Sequence, residues 1–115
     1  MFVASQQARI WLCTTPTDMR KSYNGLSALV KHQLEGDPLS GHYFVFVNRR
    51  KTMMKVLYFE SSGYCVWSKR LEQGQFQVHT SASGQRSLTW TDFQLLLDGI
   101  EVQKARQFKR YRHAL

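Results

Sequence analysis

The chain has 115 residues, 43% of them hydrophobic, which suits one compact domain and leaves no room for a second of ordinary size. Sixteen Lys and Arg against eight Asp and Glu give a formal net charge of +8, an excess that points to a polyanionic partner, nucleic acid ahead of an anionic membrane. No stretch approaches the roughly 18 apolar residues of a membrane span, and Arg9 with Gln6-Gln7 interrupts the place of a signal peptide's apolar core, so a cytoplasmic protein without membrane contact is expected.

Residues 8–14 are β-prone and end before Pro16, whose ring restricts the preceding backbone. Thr17 or Asp18 is then the expected cap of a helix with Met19, Tyr23, Leu26, Val30 and Leu34 along one apolar stripe. Gly25 inside that stripe indicates either a close backbone neighbour or a weak point. After a Gly- and Pro-containing loop over 35–41, residues 43–47 are apolar on both faces and read as a central strand. Turns at 48–52, 61–63 and 73–74 then separate strands over 53–60, 64–72 and 76–80, an antiparallel meander. Residues 81–86 read as a polar loop, and Thr91 with Gln94 as the capping box of a second helix carrying Phe93, Leu96 and Leu97 and stopping at Gly99.

The expected fold is therefore α+β: an antiparallel sheet of about five strands with two amphipathic helices on one face. One domain over 1–101 precedes a basic C-terminal tail over 102–115. That tail holds Lys104, Arg106, Lys109, Arg110 and Arg112 without an acid, so most of the net charge belongs to it. Phe108 and Tyr111 among these cations would suit a helix induced on DNA or on a protein partner.

Residues that could carry chemistry are sparse. Cys13 and Cys65 form neither a CxxC pair nor a metal knuckle and read as buried free thiols. The four histidines show no HxH or HExxH spacing, the serines lack a GxSxG turn, and no phosphate-cradling glycine pattern is present. A two-metal nuclease would need converging carboxylates, for which Asp18, Glu60 and Asp92 are the candidates. Their types and positions suit caps and strand ends equally well, so no catalytic residue, metal or cofactor is expected. Trp11, Trp67, Trp90, Phe44 and Phe46 could stack on bases, but a chain of this length needs its aromatic area for burial.

Eight of the eleven cations outside the tail fall in Arg20-Lys21, Arg49-Arg50-Lys51, Lys55 and Lys69-Arg70. A three-residue loop over 61–63 would set Lys55 opposite Lys69, and a two-residue Ser62-Gly63 loop would set it opposite Arg70. Two facing cations are destabilising unless an anion compensates, and a DNA phosphate would serve. Neutralisation by Glu60 or Glu72 is the competing reading.

Several strings together are distinctive: Thr17-Asp18-Met19-Arg20-Lys21-Ser22 with Gly25-Leu26; Ser40-Gly41, Phe44-Val45-Phe46 and Asn48-Arg49-Arg50; Met54-Lys55-Val56-Leu57; and Lys69-Arg70-Leu71-Glu72 with Gly74 and Phe76. In this order they resemble the Orf-two (TnpB) accessory protein of the insertion sequence sixty-six family, over roughly residues 9–100. Asn24, Phe59-Glu60 and Gln75 depart from that family's pattern. The resemblance implies a non-catalytic accessory protein for transposition of a bacterial element, working beside a separate, larger transposase. The partners expected are that transposase or another element-encoded transposition protein and, from the basic surface, DNA as duplex transposon ends. Taken with it, the basic clusters make Arg20, Lys21, Arg49, Arg50, Lys51, Lys55, Lys69, Arg70 and the tail cations the expected DNA contacts. An adaptor that binds protein without touching DNA is the first alternative, and the metal-dependent nuclease the second.

Overall fold

The computed structural model describes residues 8–99, and the basic tail lies outside them. Five strands, β1 (Ile10–Cys13), β2 (Tyr43–Val47), β3 (Met53–Glu60), β4 (Gly63–Arg70) and β5 (Gln85–Leu88), and two helices, α1 (Tyr23–His32) and α2 (Trp90–Leu97), make up the fold. The strands form one sheet in the order β4-β3-β2-β1-β5. The α+β class is as expected and the β2-β3-β4 meander is antiparallel, with β2 and β3 at the expected bounds. The sheet as a whole is mixed, because α1 carries the chain back to its starting end and lays β2 parallel to β1, pairing Trp11 with Phe44.

Two further expectations are corrected. The fifth strand is not 76–80 but Gln85–Leu88, antiparallel to β1. Phe76 and Val78 alternate like strand residues because both are buried plugs at 0% and 5% exposure, outside any ladder. The helices also lie on opposite faces of the sheet rather than sharing one. Tyr43, Val45 and Val47 pack with Phe76, Phe93, Leu96 and Leu97 on the α2 side. Phe44 and Phe46 pack with Leu26, Val30 and Leu34 on the α1 side. A strand apolar on both faces requires such a sandwich, and each buried Leu, Val or Phe removes enough apolar surface to stabilise the fold by about 1.5–3 kcal/mol.

The helix starts also differ from expectation. Asp18 closes a turn instead of capping a helix: its Oδ1 accepts from Arg20 N at 2.9 Å and its carbonyl from Lys21 N at 3.1 Å. The helix begins five residues later, with Tyr23 half exposed rather than on the buried stripe, which runs through Leu26 and Val30. The capping box of α2 is Thr89 with Asp92, not Thr91 with Gln94. Asp92 N donates to Thr89 Oγ1 at 3.0 Å, and Thr89 N to Asp92 Oδ2 at 3.4 Å. Aspartate at the third helical position does the work the sequence pattern assigned to a glutamine. Cys13 is buried and Cys65 half buried, both as free thiols.

Candidate nucleic-acid interface

The parallel pairing of β1 and β2 decides which side chains meet. Both strands finish at one end of the sheet, where β3 begins at Met53 and β4 finishes at Arg70. The segments leaving β1 and β2 are therefore neighbours, as the hydrogen bond from Thr17 N to the Val47 carbonyl at 2.9 Å confirms. Arg20, Lys21, Arg49, Arg50, Lys51 and Arg70 gather at this end, with Lys55 and Lys69 one step inside it. Glu35, Asp37, Glu60 and Asp92 lie toward the other end, on the loop after α1, the β3–β4 hairpin and the first turn of α2. Asp18, Glu72 and Asp98 share the cationic end, so among the described residues cations outnumber acids there while four of the seven acids lie at the other end.

Asn48 builds the turn that presents Arg49 and Arg50. Its Oδ1 accepts from Thr52 N at 2.9 Å and Met53 N at 3.0 Å, and its carbonyl accepts from Lys51 N at 3.0 Å. Lys51 takes the left-handed conformation, φ 61°, needed to return the chain into β3. From the far side Gln75 Nε2 donates to the Arg50 carbonyl at 2.9 Å and Phe76 N to the Lys51 carbonyl at 2.7 Å. The turn's backbone is thus fastened on both sides while the guanidinium groups of Arg49 and Arg50 are on exposed residues. From the sequence Asn48 reads only as the first residue of a turn, although an Asn that leads into a cationic turn is a signal of this kind of side-chain-to-backbone brace.

An open hollow of about 480 Å³ separates this turn from the segment after β1, with Pro16, Met19 and Asp18 facing Asn48, Arg49 and Arg50. The Asp18 carboxylate on its rim is already partnered. Arg20 Nη2 lies 2.7 Å from Oδ2, and Nε bridges both oxygens at 3.0 and 3.1 Å. Those hydrogen bonds hold the Asp18 carboxyl near pKa 2, below its usual 3.8. Arg70 is likewise paired with Glu72, 3.0 Å away, both side chains exposed. Exposed pairs of this kind hold their partners weakly, so both guanidinium groups can exchange a carboxylate for a phosphate.

Lys55 and Lys69 are more deeply committed. Lys55 Nζ donates to the Lys21 carbonyl at 2.9 Å on the α1 side. Lys69 Nζ donates to the Leu97 carbonyl at 2.7 Å on the α2 side, where the C-terminus of α2 favours a cation. They do not face each other. The hairpin loop is Ser61-Ser62, with Glu60 opposite Gly63, so Lys55 lies opposite Ser68 and Lys69 opposite Met54. Ser61 takes a left-handed φ of 57° in this turn. The expected cation pair, and the need for a phosphate to relieve it, is overturned by this register. The close neighbour at Gly25 is the stem of Lys21 rather than a backbone: a Cβ there would meet Lys21 Cβ at 3.0 Å.

The other sequence candidates are dispersed. Asp18 sits at the cationic end, whereas Glu60 and Asp92 belong to the opposite one, so these three do not converge on a metal site. Among the described residues no group of three His, Cys, Asp or Glu side chains could hold a metal ion. Phe44 and Phe46 are buried, and Trp11, Trp67 and Trp90 pack partly buried against the two cores, as a structural role requires. No helix among the described residues is long and apolar enough to cross a membrane. Lys104, Arg106, Lys109, Arg110 and Arg112 fall outside the described residues.

Comparison with known proteins places this architecture. The family described as IS66 Orf2 like protein matches residues 8–107. "Uncharacterized protein y4hO" of Sinorhizobium fredii is 33% identical over 101 residues, 88% of each chain. "Uncharacterized protein y4jC" of the same organism is 33% identical over 107 residues, covering 93% of this chain and 92% of its own. No solved structure matches the chain. The matched region takes in every strand and helix of the fold, and the chain belongs to the family of IS66 Orf2-like proteins.

Proposed function

We propose that this protein is a non-catalytic accessory factor for transposition of a bacterial insertion sequence, one that holds the duplex ends of the element beside a separate transposase. Family membership ties the chain to such an element. The observation that carries the DNA reading is the collection of Arg20, Lys21, Arg49, Arg50, Lys51 and Arg70 at one end of the sheet, where they outnumber the acids Asp18, Glu72 and Asp98. Phosphate contacts of this kind give affinity without sequence preference, so the transposase would supply the choice of site. Lys55 and Lys69 stand behind this surface, each already holding a backbone carbonyl, and take part in contact chiefly by fixing its shape. The tail cations Lys104, Arg106, Lys109, Arg110 and Arg112 would extend the same electrostatic grip.

The test is fluorescence anisotropy of a labelled duplex carrying the element's terminal repeat, and of a scrambled one, titrated across a salt series. Each phosphate neutralised contributes about −0.9 to the log-log slope. The Arg49→Gln/Arg50→Gln double variant should lower the slope magnitude by about 2 and weaken both duplexes alike. Negligible binding of the full chain at physiological salt would refute the DNA reading and favour an adaptor that meets an acidic protein partner.

A further inference from the structure

The two edges of the sheet differ. On one side β5 is four residues long and carries Arg86, a charge that discourages further strand pairing. On the other side β4 runs for eight residues and is uncharged from Gly63 to Ser68, and among the described residues no strand pairs with its outer edge. The ladder shows which groups that edge presents. Leu71 N donates to the Thr52 carbonyl at 2.8 Å, one step beyond the Met53–Arg70 pair. Bonded and non-bonded pairs alternate in an antiparallel ladder, so residues 63, 65, 67 and 69 bond inward to β3. Tyr64, Val66, Ser68 and Arg70 therefore turn their backbone N–H and C=O groups outward.

We propose that β4 pairs antiparallel with β4 of a second copy across a two-fold axis, joining two sheets into one of ten strands. Self-pairing is geometrically closed: Val66 falls opposite its counterpart and Tyr64 opposite Ser68, so outward-facing groups meet outward-facing groups and side chains stay on matching faces. Charge selects the direction. The cations of this edge, Lys69 and Arg70, are at one end, and Glu60 is across from Gly63 at the other. An antiparallel copy sets each Lys69 beside the partner's Gly63, with the partner's Glu60 next in the same row. Gly63 has no side chain to block that row, and a Cβ there would meet nothing within 4 Å. Lys69 gives one donor to Leu97 and retains two for Glu60. A parallel copy would instead stack cations on cations. The two-fold pair would carry its cationic ends facing opposite ways.

The test is sedimentation equilibrium of the full chain, whose monomer mass is 13.5 kDa, with two variants. Wild type should run at twice that mass. Val66→Pro removes an outward N–H that β3 does not use and should raise the dissociation constant at least tenfold while far-UV dichroism stays unchanged. Glu60→Lys, a change at an exposed position, should also weaken the pair tenfold or more and serves if the proline variant misfolds. A wild-type chain that stays monomeric at about 100 µM overturns the proposal, and so does a dimer that withstands both substitutions. DNA affinity does not enter the readout, so its outcome leaves this inference untouched.

Discussion

Lys69 on β4 donates to the carbonyl of Leu97, the last residue of α2, at 2.7 Å, tying an edge strand to the end of the helix packed beneath it. The ammonium satisfies one of the orphan carbonyls of a helix end and lies where the helix dipole favours positive charge. Lys69→Met keeps the stem and deletes the bond, and should cost about 1–2 kcal/mol. For a domain of this size that is a fall in melting temperature of several degrees, about 4–8 °C per kcal/mol. Thermal unfolding followed by dichroism measures it, and the salt slope of duplex binding should change far less than in the Arg49/Arg50 variant.

Asn48→Ala tests the brace of the cationic turn. The substitution leaves Thr52 N and Met53 N without their shared acceptor, in a half-buried position. Loss of two such bonds should destabilise by about 1–3 kcal/mol. It should also weaken duplex binding several-fold although no charge is removed, because Arg49 and Arg50 lose their fixed spacing. Asn48→Asp restores an acceptor of the same shape and should recover the stability while adding a carboxylate to the hollow, so stability and binding separate in that variant.

Much of this was legible in the residues, and the failures have physical causes. Strands β2 and β3 were found at their bounds because a β-prone apolar run between turn residues has few other solutions. The burial of β2 on both faces already demanded a helix on each side, a consequence that the one-sided arrangement ignored. Strand β5, Gln85-Arg86-Ser87-Leu88, is too polar to announce itself, while Phe76 and Val78 mimic a strand by plugging the core two residues apart. At the site, the basic clusters were visible as charge runs, but their convergence depends on the parallel β1–β2 pairing. Strand order is set by tertiary packing, which local sequence does not encode.

Acid titration should isolate the Asp18–Arg20 pair. Hydrogen bonds from Arg20 hold the Asp18 carboxyl near pKa 2 against an ordinary 3.8. A depressed carboxyl contributes stability that is fully present above the unfolded value and is lost as pH falls through the folded one. The contribution should therefore vanish across the interval from about 4 to 2, as monitored by the carboxyl carbon shift of Asp18. In Arg20→Gln the titration should move up toward the ordinary range, and the two proteins should converge in stability below pH 2. Duplex present in excess during that titration should draw Arg20 away and raise the Asp18 midpoint in the same direction.

Phe76 and Gln75 offer a way to separate the fold from the surface it presents. Phe76 is fully buried on the α2 side, and its N–H fastens the Lys51 carbonyl. Phe76→Ala should cost about 3–5 kcal/mol through the cavity left behind, a large share of the 5–15 kcal/mol by which a domain is stable. Its neighbour Gln75 is exposed and touches the same turn through one side-chain bond to the Arg50 carbonyl. Gln75→Ala should leave the melting temperature within a few degrees while loosening the turn, seen as faster amide exchange at Arg50 and Lys51. If duplex affinity follows Gln75 as well as Phe76, the rigidity of the Arg49–Arg50 turn is what binding depends on. If it follows Phe76 alone, the cations work from any folded arrangement and their number matters more than their placement.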